Sequence, residues 1–181
     1  ILECVMSDSA KMIAVVGWSQ SGKTTLIRGL VSTLKARGYR VGTVKHAHRG
    51  FQMDKPGSDT ELHRAAGADT VMAVGPLQVA MLKGGTVDDP AALAGYFSDV
   101  DVVIVEGFKG SRLPKIEVCR KANGQAPLNL NPHERLAFVS DLAALPGAAR
   151  FNLDDVEALA DLVERHLKLT RRGRRSSGRR V

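Results

Sequence analysis

The chain has 181 residues, 44% of them hydrophobic, and a formal net charge of +7, a length that fits one domain with a well-filled core. No apolar run approaches the roughly 20 residues of a membrane-crossing helix, and Cys4 and Cys119, single and far apart, argue against a disulfide scaffold or a Cys/His metal cluster, so both thiols are expected reduced. The charge is local: Arg171, Arg172, Arg174, Arg175, Arg179 and Arg180 lie in the last twelve residues, and without them +7 becomes +1.

In chain order, Ile1 to Ala10 shows neither a basic n-region nor a long apolar stretch. No signal peptide is expected, the expected compartment is the cytoplasm, and residues 1–11 read as a flexible N-terminus. Met12-Ile13-Ala14-Val15-Val16 reads as a buried strand. It leads into Gly17-Trp18-Ser19-Gln20-Ser21-Gly22-Lys23-Thr24, followed by Thr25. This fits G-x-x-x-x-G-K-[ST], in which backbone N–H groups cradle phosphates, the lysine reaches the terminal phosphates and the hydroxyl meets Mg²⁺. Glycine is needed at Gly17 and Gly22, where the backbone must turn tightly and approach the phosphate. Leu26, Ile27, Leu30, Val31 and Leu34 then repeat at helical spacing up to about Arg37, with Gly38 as the left-handed residue after the helix. The loop therefore feeds a helix N-terminus, where orphan amides and the helix dipole favour an anion.

Arg40 to Lys45 reads as a second strand, and strand–helix–strand with this crossover implies a parallel sheet. A polar stretch, His46 to Lys55, follows from the edge on which open α/β sheets bind ligands. Ser58-Asp59-Thr60-Glu61 is a capping box for a short helix ending near Ala66. Thr70–Val74 and Gln78–Leu82 read as strands, and Asp89-Pro90 opens a helix that carries Leu93 and Phe97 inward. Asp101 to Gly107 is the most apolar run and reads as a central parallel strand, ending in Glu106, with Asp101 at its other end read as a solvated strand start. Lys115–Cys119 and Leu136–Val139 read as further strands, the second ending at Ser140-Asp141, and an amphipathic helix follows Asn152 with Val156, Leu159, Val163 and Leu167 on its buried face. The expected fold is α/β of the P-loop NTPase type: a mostly parallel central sheet, helices on both faces and an antiparallel edge, spanning residues 12–168. Residues 169–181 read as a disordered basic tail. Such a tail can attract nucleic acid by counterion release. No aromatic residue interleaves its arginines, so a solvated tail is the favoured reading and a nucleic-acid partner is not expected.

The chemistry concentrates at the cradle. Gly17, Ser19, Gln20, Ser21, Gly22, Lys23, Thr24 and Thr25 are the candidate nucleotide-binding residues. Thr24 needs a carboxylate from a neighbouring strand end to complete a metal site. Glu106 has that position, although an acid there also serves as a strand's exit to solvent. Asp54 is a second candidate for metal or catalytic water, with plain loop solvation an equal alternative. Lys23, Glu106 and Asp54 are thus the candidate catalytic groups, and Thr24, Glu106 and Asp54 the candidate metal ligands. His46 and His48 read as polar loop residues rather than a metal pair. Lys45, Arg49, Lys55, Lys109, Arg112 and Lys115 form a basic population around the same edge, suited to a phosphate-rich substrate or partner, or else scattered surface charge. A small-molecule kinase would use the same cradle to transfer a phosphoryl group.

The ordered set Gly17–Thr25, Lys45-His46-Ala47-His48 with Phe51, Asp54, Gly57 and Asp59, Ala66-Gly67-Ala68, Val105-Glu106-Gly107-Phe108-Lys109 and Pro114-Lys115-Ile116-Glu117-Val118 resembles the molybdopterin-guanine dinucleotide biosynthesis adaptor family, over roughly residues 11 to 168. The resemblance implies a homodimeric GTP- and Mg²⁺-binding adaptor, a slow GTPase. It would assist a GMP-transferring molybdopterin guanylyltransferase, with molybdopterin-handling proteins as further partners. Trp18 stands where the related MinD-like ATPases carry an extra lysine, and no Cys/His nickel-loading motif accompanies the loop. The chain has no Asn-Lys-x-Asp guanine-reading motif, so GTP is what the resemblance implies, with Asp141 as the stand-in for the base-reading carboxylate.

Overall fold

The computed structural model describes residues 10–48, 50–143, 145 and 147–170; Cys4, Arg49, the N-terminal segment to residue 9 and the arginine tail from Arg171 lie outside them. Among the described residues there are eight strands: β1 (Lys11–Val16), β2 (Val41–Lys45), β3 (Thr70–Val74), β4 (Val79–Lys83), β5 (Val102–Glu106), β6 (Lys115–Cys119), β7 (Arg135–Ser140) and β8 (Ala149–Phe151). The α-helices are α1 (Lys23–Ala36), α2 (Asp59–Ala65) and α3 (Val156–Leu167), with a 3-10 helix over Pro90–Phe97. They form two compact units, one from the chain up to His46 and from Asp88 onward, the other Ala47–Val87.

In the first unit the sheet runs β2-β5-β1-β6-β7-β8, and every pairing in it is parallel. β1 sits centrally because it is apolar on both faces. Ile13 and Val15 pack with Leu26, Ile27, Leu30 and Leu34 of α1 and Leu159, Ala160 and Val163 of α3. Met12, Ala14 and Val16 face the other way, against Phe108 and Leu128, with Phe97 and Ala94 alongside. One face is thus covered by two α-helices and the other by the 3-10 helix and loops. The helix expected after Asp89 is this 3-10 segment; Asp89 caps it by accepting the Ala91 N–H at 2.9 Å.

In the second unit, β3 and β4 pair antiparallel around a Gly75–Gln78 turn. The expected antiparallel component is therefore a separate two-stranded sheet rather than an edge of the main one. α2 is capped by Ser58, which accepts the Glu61 N–H, while Asp54 accepts hydroxyl hydrogen bonds from Thr60 at 2.7 Å and Ser58 at 2.9 Å. The Thr60 hydroxyl, ahead of Ser58 and the Arg64 charge, holds the Asp54 carboxyl below its usual range against an opposing effect of burial.

Three local readings change. Lys115, expected among the surface cations, is fully buried at the start of β6. Its ammonium donates to the carbonyls of Ser111 and Leu113 and pairs with Glu134 at 2.8 Å. Two residues on, buried Glu117 accepts from Arg135 at 2.8 Å and from the Leu128 N–H. The polar alternation in β6 thus reflects satisfied buried charges, and β6 is an interior strand. Asp101, expected to be solvated, pairs with Arg40 at 3.2 Å. β8 was not expected; it is a three-residue edge strand without a readable period. Cys119 is a buried free thiol whose pKa is raised, chiefly by burial.

Arg37 fastens α1 to α3. Its guanidinium, 14% exposed, reaches Glu157 at 2.6 Å and both Asp161 and Glu164 at 2.7 Å. These bonds hold Arg37 above the ordinary arginine value and Glu157 below the ordinary glutamate value of 4.5. Because the folded Glu157 value is depressed, its contribution is complete above pH 4.5 and is lost as pH falls through the lower folded value. Arg37→Met should lower unfolding free energy at neutral pH by about 1–3 kcal/mol. It should also flatten the acid limb of stability below pH 4.5, as measured by urea unfolding at a series of pH values.

Candidate nucleotide-binding site

Because the main sheet is parallel, the exits of β1, β2, β5, β6 and β7 share one edge. The edge gathers the Gly17–Thr25 loop, Lys45, Glu106 to Lys109, the turn after Cys119, and Asp141. Register completes the placement: Val15 is opposite Glu106, and Glu106 is opposite Lys45. Asp101 precedes β5 and falls on the opposite edge, whereas Lys115 is level with Ala14 and Val105 and is buried within the sheet.

Gly17 adopts φ 149°, and a Cβ there would come within 2.3 Å of the Val118 carbonyl oxygen and 2.7 Å of Ser21 Oγ. The loop is therefore pressed against the β6 backbone at a point where only glycine fits. Gln20 follows in left-handed conformation at φ 59°. Ser21 is buried, and its N–H donates to the Trp18 carbonyl at 3.3 Å. Gly22 then caps α1, so Lys23, Thr24 and Thr25 occupy the first turn with their N–H groups facing the loop.

The Lys23 ammonium folds back on the loop, donating to the Trp18 carbonyl at 2.6 Å and the Gly17 carbonyl at 3.3 Å. Burial lowers its pKa; Glu106 opposes that, while Lys109 and Lys45 add to it. The Thr24 hydroxyl donates to Glu106 Oε2 at 3.3 Å, and Lys45 Nζ lies 3.9 Å from Glu106 Oε1. Lys23, Thr24 and Glu106, selected from sequence, are thus together. Asp54 belongs to the Ala47–Val87 unit, where its carboxylate serves the α2 cap. Asp141 accepts the Lys121 N–H at 2.7 Å, which ties the exit of β7 to the turn after β6.

That turn has a role the sequence reading missed. Trp18 Nε1 donates to the Ala126 carbonyl at 2.8 Å, and Asn123 Nδ2 donates to the Ser19 carbonyl at 3.1 Å. Leu128, farther along the same segment, is fixed by Glu117 and Arg135. Residues 120–128 therefore brace the tip of the phosphate loop through the Ala126 carbonyl and the Asn123 side-chain amide.

The cradle, its lysine and the facing carboxylate make a candidate nucleotide site; comparison with known proteins decides the family. The model for MobB, molybdopterin guanine dinucleotide synthesis protein B, matches residues 12–141. This chain belongs to the MobB family. The molybdopterin-guanine dinucleotide biosynthesis adapter protein of Escherichia coli K12 is 36% identical over 159 residues, covering 84% of this chain and 90% of the relative. The Haemophilus influenzae adapter is 30% identical over 167 residues, covering 90% of this chain and 92% of the relative. The crystal structure of Bacillus subtilis MobB superposes with TM-score 0.70 at 26% identity, over 88% of this chain and 98% of that one. MobB membership establishes the P-loop NTPase fold and a place in molybdenum cofactor biosynthesis.

Gly17→Ala would force a side chain against backbone that cannot swing away. It should cost about 2 kcal/mol or more of stability and abolish nucleotide binding. Thermal unfolding and equilibrium titration with a labelled nucleotide measure both effects.

Proposed function

We propose that this MobB-family chain is a GTP- and Mg²⁺-binding adaptor with slow GTPase turnover. It assists a GMP-transferring guanylyltransferase in attaching GMP to molybdopterin, and hands off to molybdopterin-handling proteins in the cytoplasm. The observation that carries the reading is the junction of cradle and carboxylate: Thr24 Oγ1 lies 3.3 Å from Glu106 Oε2, directly after the lysine of the loop. A hydroxyl and a carboxylate are hard oxygen donors, and Mg²⁺ takes one or two protein oxygens while keeping water and phosphate in its shell. Thr24 and Glu106 would hold the ion, which when bound would neutralise charge on the phosphates.

The chain's own residues then have simple tasks. The N–H groups of the loop and of the first turn of α1 donate to phosphate oxygens, apart from that of Ser21, which the Trp18 carbonyl holds. Lys23 exchanges two carbonyl acceptors for oxyanions, which make stronger charge-assisted bonds. Asp141, beside the turn after β6, is the acid assigned to the guanine base. The proposal includes a homodimer, which the second unit supports. Its hairpin exposes Met72, Val74 and Val79 on the strands and Leu77 in the turn, and an isolated hairpin is marginally stable without a partner surface.

Lys23→Ala should leave the fold intact and weaken GTP–Mg²⁺ binding at least about a hundredfold, from the lost charged contacts. It should equally abolish GTP-dependent pull-down of the GMP-transferring enzyme. Retained affinity in the variant rejects the phosphate assignment. Rapid phosphoryl transfer to a small acceptor by the wild-type chain rejects the adaptor assignment in favour of a kinase.

A further inference from the structure

At the rim of the cradle, the turn that leaves β5 carries a lysine on a closely held backbone. Gly107 has φ 97° and Phe108, a buried non-glycine residue, φ 52°. A Cβ on Gly107 would approach His46 Cβ to 2.9 Å. The Gly107 N–H donates to the Val15 carbonyl at 3.0 Å, the Ser111 N–H to the Phe108 carbonyl at 3.0 Å, and the Phe108 ring stacks on His46 at 4.2 Å. Left-handed backbone at a bulky residue is maintained only where its surroundings hold it, and such strain gathers at functional sites. The next residue, Lys109, extends its ammonium over the Trp18 ring at 4.7 Å, and Trp18 is itself part of the phosphate loop.

The electrostatics around this lysine point to an anion. Burial chiefly lowers the Lys23 pKa, with Lys109 and Lys45 adding to it against Glu106, so three ammonium groups gather around the carboxylate of Glu106. Lys45 faces that carboxylate, whereas Lys109 rests on a ring face. A cation–π contact at a half-exposed ring is weaker than a charge-assisted hydrogen bond to phosphate, so Lys109 is the cation most readily transferred to a ligand. A lysine that merely covered Trp18 would not require the fixed, left-handed turn behind it.

We propose that Lys109 is a specificity-determining residue that moves from the Trp18 ring to the terminal phosphate of the bound nucleotide, and so lets the protein distinguish a nucleoside triphosphate from a diphosphate. The proposal rests on the nucleotide site described above. Trp18 is the only tryptophan, so its fluorescence reports directly on the contact.

The test is a titration of the full chain with GTP and with GDP, each with Mg²⁺, followed by Trp18 emission. Lys109→Met should weaken GTP binding by roughly tenfold, the loss of one charge-assisted contact. GDP affinity should move by less than about threefold, within the indirect effect of one removed charge. Lys109→Arg should recover most of the discrimination. Lys35→Met, which removes a charge from the far end of α1, should leave both affinities as in the wild type. Equal losses for the two nucleotides in Lys109→Met, no loss for either, or the same GTP-selective loss in Lys35→Met would overturn the role of Lys109. A wild-type chain that binds neither nucleotide would overturn the nucleotide reading itself, and this inference with it.

Discussion

The close passage of Gly17 across the end of β6 is the constraint on which the site depends. With room for no side chain between its Cα and the Val118 carbonyl, the phosphate loop is held against the sheet. α1 therefore starts where its first turn faces the exit of β5. Parallel pairing does the rest, because β1 and β5 in register put Val15 opposite Glu106. A residue with a Cβ at position 17 would lift the loop away from β6, and Thr24 and Glu106 would no longer share a hydrogen bond. Backbone proximity, more than any single side-chain contact, assembles this edge of the sheet.

Around this point the protein spends its buried charges on stiffness. Glu117 and Arg135 lie inside the sheet and anchor Leu128. Leu128 belongs to the segment whose Ala126 carbonyl and Asn123 amide hold Trp18 and Ser19. Each of these charges has its partner, as burial demands, since an unpaired one would be strongly destabilising. A phosphate cradle must be preorganised because its amides cannot reorient cheaply as charge arrives. The path from Glu117 to Ser19 supplies that rigidity.

Much of this was legible in the sequence, for identifiable reasons. The G-x-x-x-x-G-K-[ST] loop, the doubly apolar runs of β1 and β5 and the 3.6-residue period of α1 are local signals, and they appear where expected. Glu106 was legible because an acid ending a central strand has few positions available once the sheet is parallel. The rest was hidden by non-local physics. Lys115 and Glu117 alternate with apolar residues along β6, yet each is buried against a partner 18 or 19 residues away. The brace at 120–128 joins residues 104 and 108 positions apart, with no local pattern to mark it. β8 is held by pairing with β7, with too few residues to show a period. The division into two units was also invisible, because the second unit begins in a polar loop with no linker composition.

The central claim is that Glu106 and Thr24 make the metal side of a nucleotide site built on the Gly17 crossing. The most direct measurement is the affinity of the wild-type chain and of Glu106→Gln for GTP, with and without Mg²⁺, by isothermal titration calorimetry. The account predicts that Mg²⁺ tightens GTP binding in the wild type and that Glu106→Gln removes most of this gain while leaving metal-free affinity nearly unchanged. An equal Mg²⁺ effect in both proteins would contradict it.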